Sequence, residues 1–60
     1  ASREDERAAE IYSETAIIQL QKDMFDLALR TLRRLDRLNE TNSGKFESQL
    51  TKALEFVKQR

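Results

Sequence analysis

The sequence contains no cysteine, histidine, proline or tryptophan and only one glycine, and each absence removes a class of structure or chemistry. Without cysteine there is no disulfide and no thiolate ligand for a metal. Without histidine, the commonest general base and the commonest metal ligand are both missing. Because proline is absent and the glycine is Gly44, little interrupts a helix. We therefore expect no catalytic residues, no metal ligands and no cofactor.

An excess of one charge is also missing, because 11 basic and 11 acidic residues cancel. A nucleic-acid-binding domain usually has a basic excess, so nucleic acid is a disfavoured partner. No apolar run approaches the length of a membrane span, so we expect no membrane insertion. The 60 residues form one small helical domain, 1–60, whose stability depends on helix packing or a partner chain. The default expectation for its location is intracellular, in the cytoplasm.

The residues that are present predict an all-α fold. Ala, Leu, Glu, Lys, Arg and Gln dominate, and all are good helix formers. Turn residues cluster in NETNSG (39–44), and Asp23 precedes a periodic apolar run as a helix N-cap does. We predict three antiparallel amphipathic helices, with the second between the other two, at about 3–22, 24–39 and 44–59.

The apolar residues of each predicted helix define a face that should turn toward the core. On the first helix these residues are Ala8, Ile11, Tyr12, Thr15, Ala16 and Ile18. On the second they are Met24, Leu27, Ala28, Thr31, Leu32, Leu35 and Leu38, with Phe25 on the flank. On the third they are Phe46, Leu50, Ala53, Leu54 and Val57. Three apolar residues lie off these faces or at their margins, which favours association with a partner or a second copy: Ile17, Leu29 and Phe56.

Four arginines, Arg30, Arg33, Arg34 and Arg37, form a stripe along one side of the second helix. The simplest interpretation is the solvated back of an amphipathic helix, with Asp26 pairing with Arg30 four residues later. The alternative is a patch that binds the carboxylates or phosphates of a partner. No aromatic residue is interleaved with the arginines, so nucleic-acid bases would have nothing to stack on.

A twelve-residue spacing separates Ala16 and Ala28, two small residues that should face each other across antiparallel helices. Tyr12 stands four residues before Ala16. Phe25 stands three residues before Ala28, and Leu32 stands four after it. Over about residues 9–42 this pattern resembles the tetratricopeptide (TPR) helical hairpin.

Four positions depart from the TPR pattern. Gln19 stands where a Tyr is usual and Asp23 where a Gly is usual. Leu35 and Glu40 replace the usual Ala and Pro. The resemblance implies that the concave, ligand-facing positions of the first helix are Glu10, Ser13, Ile17, Leu20 and Gln21.

The alanine spacing, the segment MFDLAL and the ending LTKALEFVKQR are also similar to a microtubule-interacting and trafficking (MIT) domain. That family is a single three-helix unit that binds short helical or extended segments of partner proteins in a groove beside its third helix. The second helix here is about one turn shorter than that family implies. A TPR-like or MIT-like bundle is therefore the expected fold.

The expected function is a non-catalytic protein–protein interaction module. It would bind a helical or extended segment of a partner through a hydrophobic helix face, with the arginines recognising acidic flanks. The alternative is a structural subunit, either a homo-oligomer or a small chain folded against a larger partner. The predicted partner-binding residues are the five first-helix positions and the four arginines.

Overall fold

The computed structural model describes residues 3–59, which form an all-α fold. The three helices are α1 (Arg3–Gln21), α2 (Phe25–Thr41) and α3 (Glu47–Lys58). This part of the chain contains no strand. Every helix packs against the other two, in a flattened bundle of 32 × 17 × 13 Å. The predicted fold class is confirmed, with helix ends that differ from the predicted ones by at most three residues.

Charges at the helix ends complement the helix dipoles. Glu4, Asp5 and Glu6 stand in the first turn of α1, where the dipole favours negative charge. Lys58 stands in the last turn of α3, where it favours positive charge. Ser2 precedes this helix in the sequence and is of a residue type that favours the N-cap position, but it lies outside the described residues.

The turn between α1 and α2 is a C-terminal cap of α1, so the prediction that Asp23 caps α2 is wrong. Asp23 has a left-handed backbone, with φ of 60°. Its N–H donates to the Leu20 carbonyl at 3.1 Å, and the Met24 N–H donates to the Gln19 carbonyl at 2.8 Å. These two bonds define a Schellman motif, which satisfies carbonyl groups that the end of a helix would leave free. The residue at the N-cap of α2 is Met24, whose side chain makes no capping hydrogen bond.

The turn between α2 and α3 repeats this design. Ser43 is left-handed, with φ of 57°, and its N–H donates to the Glu40 carbonyl at 3.2 Å. The Gly44 N–H donates to the Asn39 carbonyl at 2.9 Å. Gly44 has φ of 76°, a value that glycine adopts without strain. The NETNSG segment is therefore a second Schellman motif followed by a glycine turn.

The buried side chain of Asn39 fixes the start of α3. Its Oδ1 accepts a hydrogen bond from the Phe46 N–H at 2.7 Å, and its Nδ2 donates to Oε2 of Glu47 at 2.7 Å. Both ends of the amide are thus satisfied, as burial of a polar group requires. Sequence periodicity gave no reason to single out Asn39.

The core is built from alanines and leucines around one phenylalanine. Ala16 and Ala28 are fully buried, as the twelve-residue spacing predicts. The main buried cluster consists of Ala9, Ala16, Leu32, Leu35, Phe46, Leu50 and Ala53. Small residues at the contact points allow the helix axes to approach closely, because the interaxial distance depends on the side chains between them.

The predicted core face of α1 is wrong in part. The buried residues of α1 are Ala9, Ser13, Ala16 and Leu20, whereas the predicted core residues Ile11 and Ile18 are 53% and 50% exposed. α1 packs against both other helices, and α2 and α3 pack against each other least extensively. The central helix is therefore α1 and not α2. A helix with two neighbours buries the side that both can approach, and on α1 that side carries its small residues.

The faces of α2 and α3 follow the prediction more closely. On α2 the predicted residues Ala28, Thr31, Leu32 and Leu35 are buried, Leu38 is half-buried, and Met24 and Leu27 are exposed. On the α3 side Phe46, Leu50 and Ala53 are buried, Phe56 is half-buried, and Leu54 and Val57 are exposed. None of the three helices is long and apolar enough to cross a membrane.

Candidate interaction surfaces

The predicted first-helix positions lie partly in a groove between α1 and α3. This α1–α3 groove has a volume of about 470 Å³. Its lining residues are Glu6, Glu10, Ser13, Glu14, Ile17, Lys45, Phe46, Gln49 and Lys52. The structure therefore brings Glu10, Ser13 and Ile17 together, as the TPR resemblance implies. Leu20 is buried in the interior and Gln21 is exposed beyond the groove, so neither lines it.

The floor of the α1–α3 groove belongs to the bundle interior. Ser13 is buried, and its Oγ donates to the Glu10 carbonyl at 3.0 Å. Ile17, predicted to lie off the core face of the first helix, is half-buried and packs against the core cluster. Phe46 closes the floor on the α3 side. These side chains support the fold first and offer little free apolar surface to a partner.

The walls of the α1–α3 groove have opposite charges. The α1 wall carries Glu10 and Glu14, and the α3 wall carries Lys52. At one end Lys45 Nζ lies 3.5 Å from Oε1 of Glu6, with both side chains about half exposed. An exposed pair of this kind contributes little stability. Because three carboxylates face two ammonium groups, the groove has little net charge to attract a ligand of one sign.

The arginine stripe lies elsewhere, on the exposed surface of α2. Arg30, Arg34 and Arg37 border a long furrow between α1 and α2, formed by adjoining depressions of about 330 and 430 Å³. The residues lining this α1–α2 furrow are Ile11, Tyr12, Thr15, Gln19, Leu27, Arg30, Thr31, Arg34, Arg37, Leu38 and Thr41. The structure thus separates the arginines from the first-helix positions of the predicted site, since no arginine lines the α1–α3 groove.

The α1–α2 furrow combines apolar surface with positive charge. Leu27 is 41% exposed, and Ile11 is exposed on the opposite wall. Between residues 3 and 59, no carboxylate lies within ion-pair distance of Arg30, Arg34 or Arg37. The predicted pairing of Asp26 with Arg30 is not formed in the described structure. A row of arginines without an ion-pair partner among residues 3–59, beside exposed apolar side chains, leaves both features available to a ligand.

A polar contact at the floor of the furrow holds its two walls together. The Oγ1 of Thr31 lies 2.7 Å from Oε1 of Gln19 and 3.0 Å from the carbonyl oxygen of Leu27. Thr31 is buried on α2 and Gln19 is half-buried on α1. The contact therefore fixes the register of the two helices where Arg30 and Leu27 border the furrow. Apolar periodicity predicts only that Thr31 is a core residue, so the sequence did not predict its contact with Gln19.

The fourth arginine borders a third surface. Arg33 lines a groove between α2 and α3 of about 210 Å³. The residues of this α2–α3 groove are Leu29, Leu32, Arg33, Asp36, Leu50 and Leu54. Leu29, predicted to lie at the margin of the apolar face of α2, is 54% exposed here.

In the described part of the chain, no three acidic residues converge in a way that could hold a metal ion. Comparisons with protein-family models, curated proteins and solved structures give no match to this chain, so the resemblances to the TPR and MIT families stay predictions.

Proposed function

We propose that the protein is a non-catalytic interaction module that binds an acidic amphipathic helix of a partner protein in the α1–α2 furrow. The observation that carries this proposal is the row of three arginines without described ion-pair partners beside exposed Ile11 and Leu27. The proposal differs from the sequence prediction in its location, because the apolar contacts come from this furrow and not from the first-helix groove.

The spacing of the arginines supports a helical ligand. Arg30, Arg34 and Arg37 stand at i, i+4 and i+7, so they span about 10 Å along α2 at a rise of about 1.5 Å per residue. A ligand helix lying along the furrow presents carboxylates at the same interval when Asp or Glu recurs every three to four residues. Each guanidinium can bind a carboxylate through two parallel hydrogen bonds.

The apolar side chains of the furrow supply the second part of the recognition. Ile11 and Leu27 come from opposite walls, and the half-buried Tyr12 and Leu38 lie between the walls and the core. Together they offer a shallow hydrophobic seat for the apolar face of an amphipathic helix. The charges then determine the orientation and increase the rate of association, as electrostatic complementarity usually does.

A designed peptide tests the proposal. We would titrate a helical peptide of about 20 residues, with Glu at i, i+4 and i+7 beside a leucine stripe, into the protein by calorimetry. Arg34→Glu should weaken binding at least about tenfold, because it replaces an attraction with a repulsion. Leu27→Asp should weaken it similarly by removing an apolar contact from the furrow.

Matched controls come from the same helix. Arg33→Glu and Leu29→Asp make the same changes on the edge of α2 that faces α3, and both should leave peptide binding within about twofold of wild type. A peptide with Lys in place of each Glu should not bind. Equal losses from Arg33→Glu and Arg34→Glu would contradict binding in the furrow. Failure of the wild-type protein to bind the acidic peptide would contradict the proposed function itself.

A further inference from the structure

The α2–α3 groove has an apolar surface that the bundle leaves uncovered. Leu29 from α2 and Leu54 from α3 both line it, and each remains about half exposed. Below them, Leu32 and Leu50 are buried and join the groove to the core. The exposed leucines therefore extend the hydrophobic core outward, unlike isolated surface residues, which are common and need no explanation.

The apolar strip continues toward one end of the bundle. Phe25 stands one turn before Leu29 on α2, and Val57 stands about one turn after Leu54 on α3. Both are exposed. Because α2 and α3 are antiparallel neighbours, these four residues belong to the same end of the molecule. An exposed strip of this kind marks an interaction surface in a monomeric chain.

The charges at the edge of the groove favour a second copy of the same chain over a foreign partner. Arg33 and Asp36 line the groove together, and they form no ion pair with each other. A two-fold axis beside them places Arg33 of one copy next to Asp36 of the other, and the reverse. The formal net charge of zero means that two copies do not repel each other at long range.

We propose that two copies of this chain form a two-fold dimer through the α2–α3 groove, with Arg33 paired with Asp36 of the partner beside the axis and with apolar contacts from Leu29 and Leu54. This dimer is independent of peptide binding, because the α1–α2 furrow lies on the other edge of α2. It also gives a specific form to the assembly function expected as an alternative from the sequence.

Sedimentation equilibrium over about a hundredfold range of protein concentration tests the dimer. The wild-type chain should change from one copy to two as concentration rises. Leu29→Asp should weaken the dimer about a hundredfold, because each interface contains the residue twice. Leu27→Asp is the matched control, since it makes the same change two residues earlier on the opposite edge of α2, and it should leave the dimer intact.

A charge exchange tests the pairing of Arg33 with Asp36. Arg33→Glu and Asp36→Arg should each weaken the dimer, and the double variant should regain most of the loss. All these positions are exposed, so the variants should keep wild-type helicity by circular dichroism.

Three results would overturn the proposal. The first is a wild-type chain that stays at the mass of one copy throughout, which would leave the groove to a foreign partner. The second is a dimer that Leu29→Asp and Leu27→Asp weaken equally. The third is a charge exchange that gives no recovery.

Discussion

At the scale of single residues, Asp23 and Ser43 have backbone conformations that glycine adopts more easily. Both end a helix with a positive φ, where a side chain on an L-residue crowds the following carbonyl group. The TPR pattern has a Gly at the position of Asp23, and the left-handed turn found here is the conformation that would favour one. The chain tolerates Asp and Ser because both turns are fixed by Schellman hydrogen bonds.

Replacing Ser43 with glycine should stabilise the protein. Glycine relieves the strain of the left-handed backbone, and this gain in free energy exceeds the cost of the extra conformational entropy of the unfolded chain. We therefore expect Ser43→Gly to raise the free energy of unfolding by about 0.5–1 kcal/mol. Urea denaturation monitored by circular dichroism measures this change in the free energy of unfolding. Ser43→Val should have the opposite effect, because a β-branched residue resists positive φ. A decrease in stability for Ser43→Gly would contradict this account of the turn.

Asn39 should be among the least replaceable polar residues. Asn39→Asp keeps the acceptor for the Phe46 N–H but places a second carboxylate against Glu47. We expect it to lower the free energy of unfolding by about 1–3 kcal/mol.

The compensating change is Glu47→Gln, because Gln can donate an N–H to the new Asp. The double variant should regain at least half of the lost stability, as measured by the same urea titration. Asn39→Ala, which removes both hydrogen bonds, should not be rescued by Glu47→Gln. If Glu47→Gln restored the same amount of stability to Asn39→Asp and to Asn39→Ala, the contact between residues 39 and 47 would contribute nothing.

At the scale of helices, sequence periodicity identified the core side of α2 and only part of that of α1. The predicted residues Ala28, Leu32 and Leu35 of α2 are buried, since this helix has one dominant apolar face. α1 has apolar residues on more than one side, and periodicity favours the larger ones. Packing against two helices instead selected the side that carries Ala9 and Ala16, because close approach requires small side chains.

Adjacent isoleucines on α1 test this packing. Ile17 packs against the core, whereas Ile18 is half exposed on the other side. We expect Ile17→Ala to lower the free energy of unfolding by about 1–2 kcal/mol and Ile18→Ala by less than about 0.5 kcal/mol. Thermal or urea denaturation distinguishes them. A larger loss of stability for Ile18→Ala than for Ile17→Ala would instead support the core face predicted from the sequence.

The candidate surfaces were predictable in composition but not in arrangement. The arginine stripe is visible as a spacing, and Glu10, Ser13 and Ile17 share a groove because they stand at i, i+3 and i+7 on one helix. The sequence could not assign Arg34 to the α1–α2 furrow or Arg33 to the α2–α3 groove, because that depends on which helix packs on each side of α2. The contact of Thr31 with Gln19 was hidden for the same reason, since it joins residues on two helices.

At the scale of the whole molecule, the bundle has little interior. Leu35 is the only large side chain in the described part with no exposure, and Leu20 and Phe46 follow at 2%. A chain of this length buries a smaller fraction of its surface than a larger domain does, so the free energy of unfolding should be small. Association therefore has a larger relative effect on stability here than in a larger domain.

This dependence predicts a concentration effect on thermal unfolding. The midpoint for the wild-type chain should rise with protein concentration, because the dimer binds only the folded form. The midpoint of Leu29→Asp should not change with concentration. Calorimetry at about three concentrations measures both. A constant wild-type midpoint would mean that stability comes from one copy alone.

In the dimer, the α2–α3 groove would hold the two copies together while the α1–α2 furrow of each copy binds a ligand. Since the α2–α3 groove forms the interface, the α1–α2 furrow of each copy stays accessible. A partner that carries two acidic helices could then occupy both furrows, and the second binding event would be intramolecular. The gain in apparent affinity should disappear in Leu29→Asp, although binding of a single helix should remain.

Tyr12 makes the furrow visible to spectroscopy. It is the only tyrosine, the chain has no tryptophan, and it lines both depressions of the furrow while remaining half-buried. Its ultraviolet emission therefore comes from a single ring at the proposed binding surface. A ligand without tyrosine or tryptophan that enters the furrow must change the surroundings of that ring, so occupancy can be followed in the native chain without any attached dye.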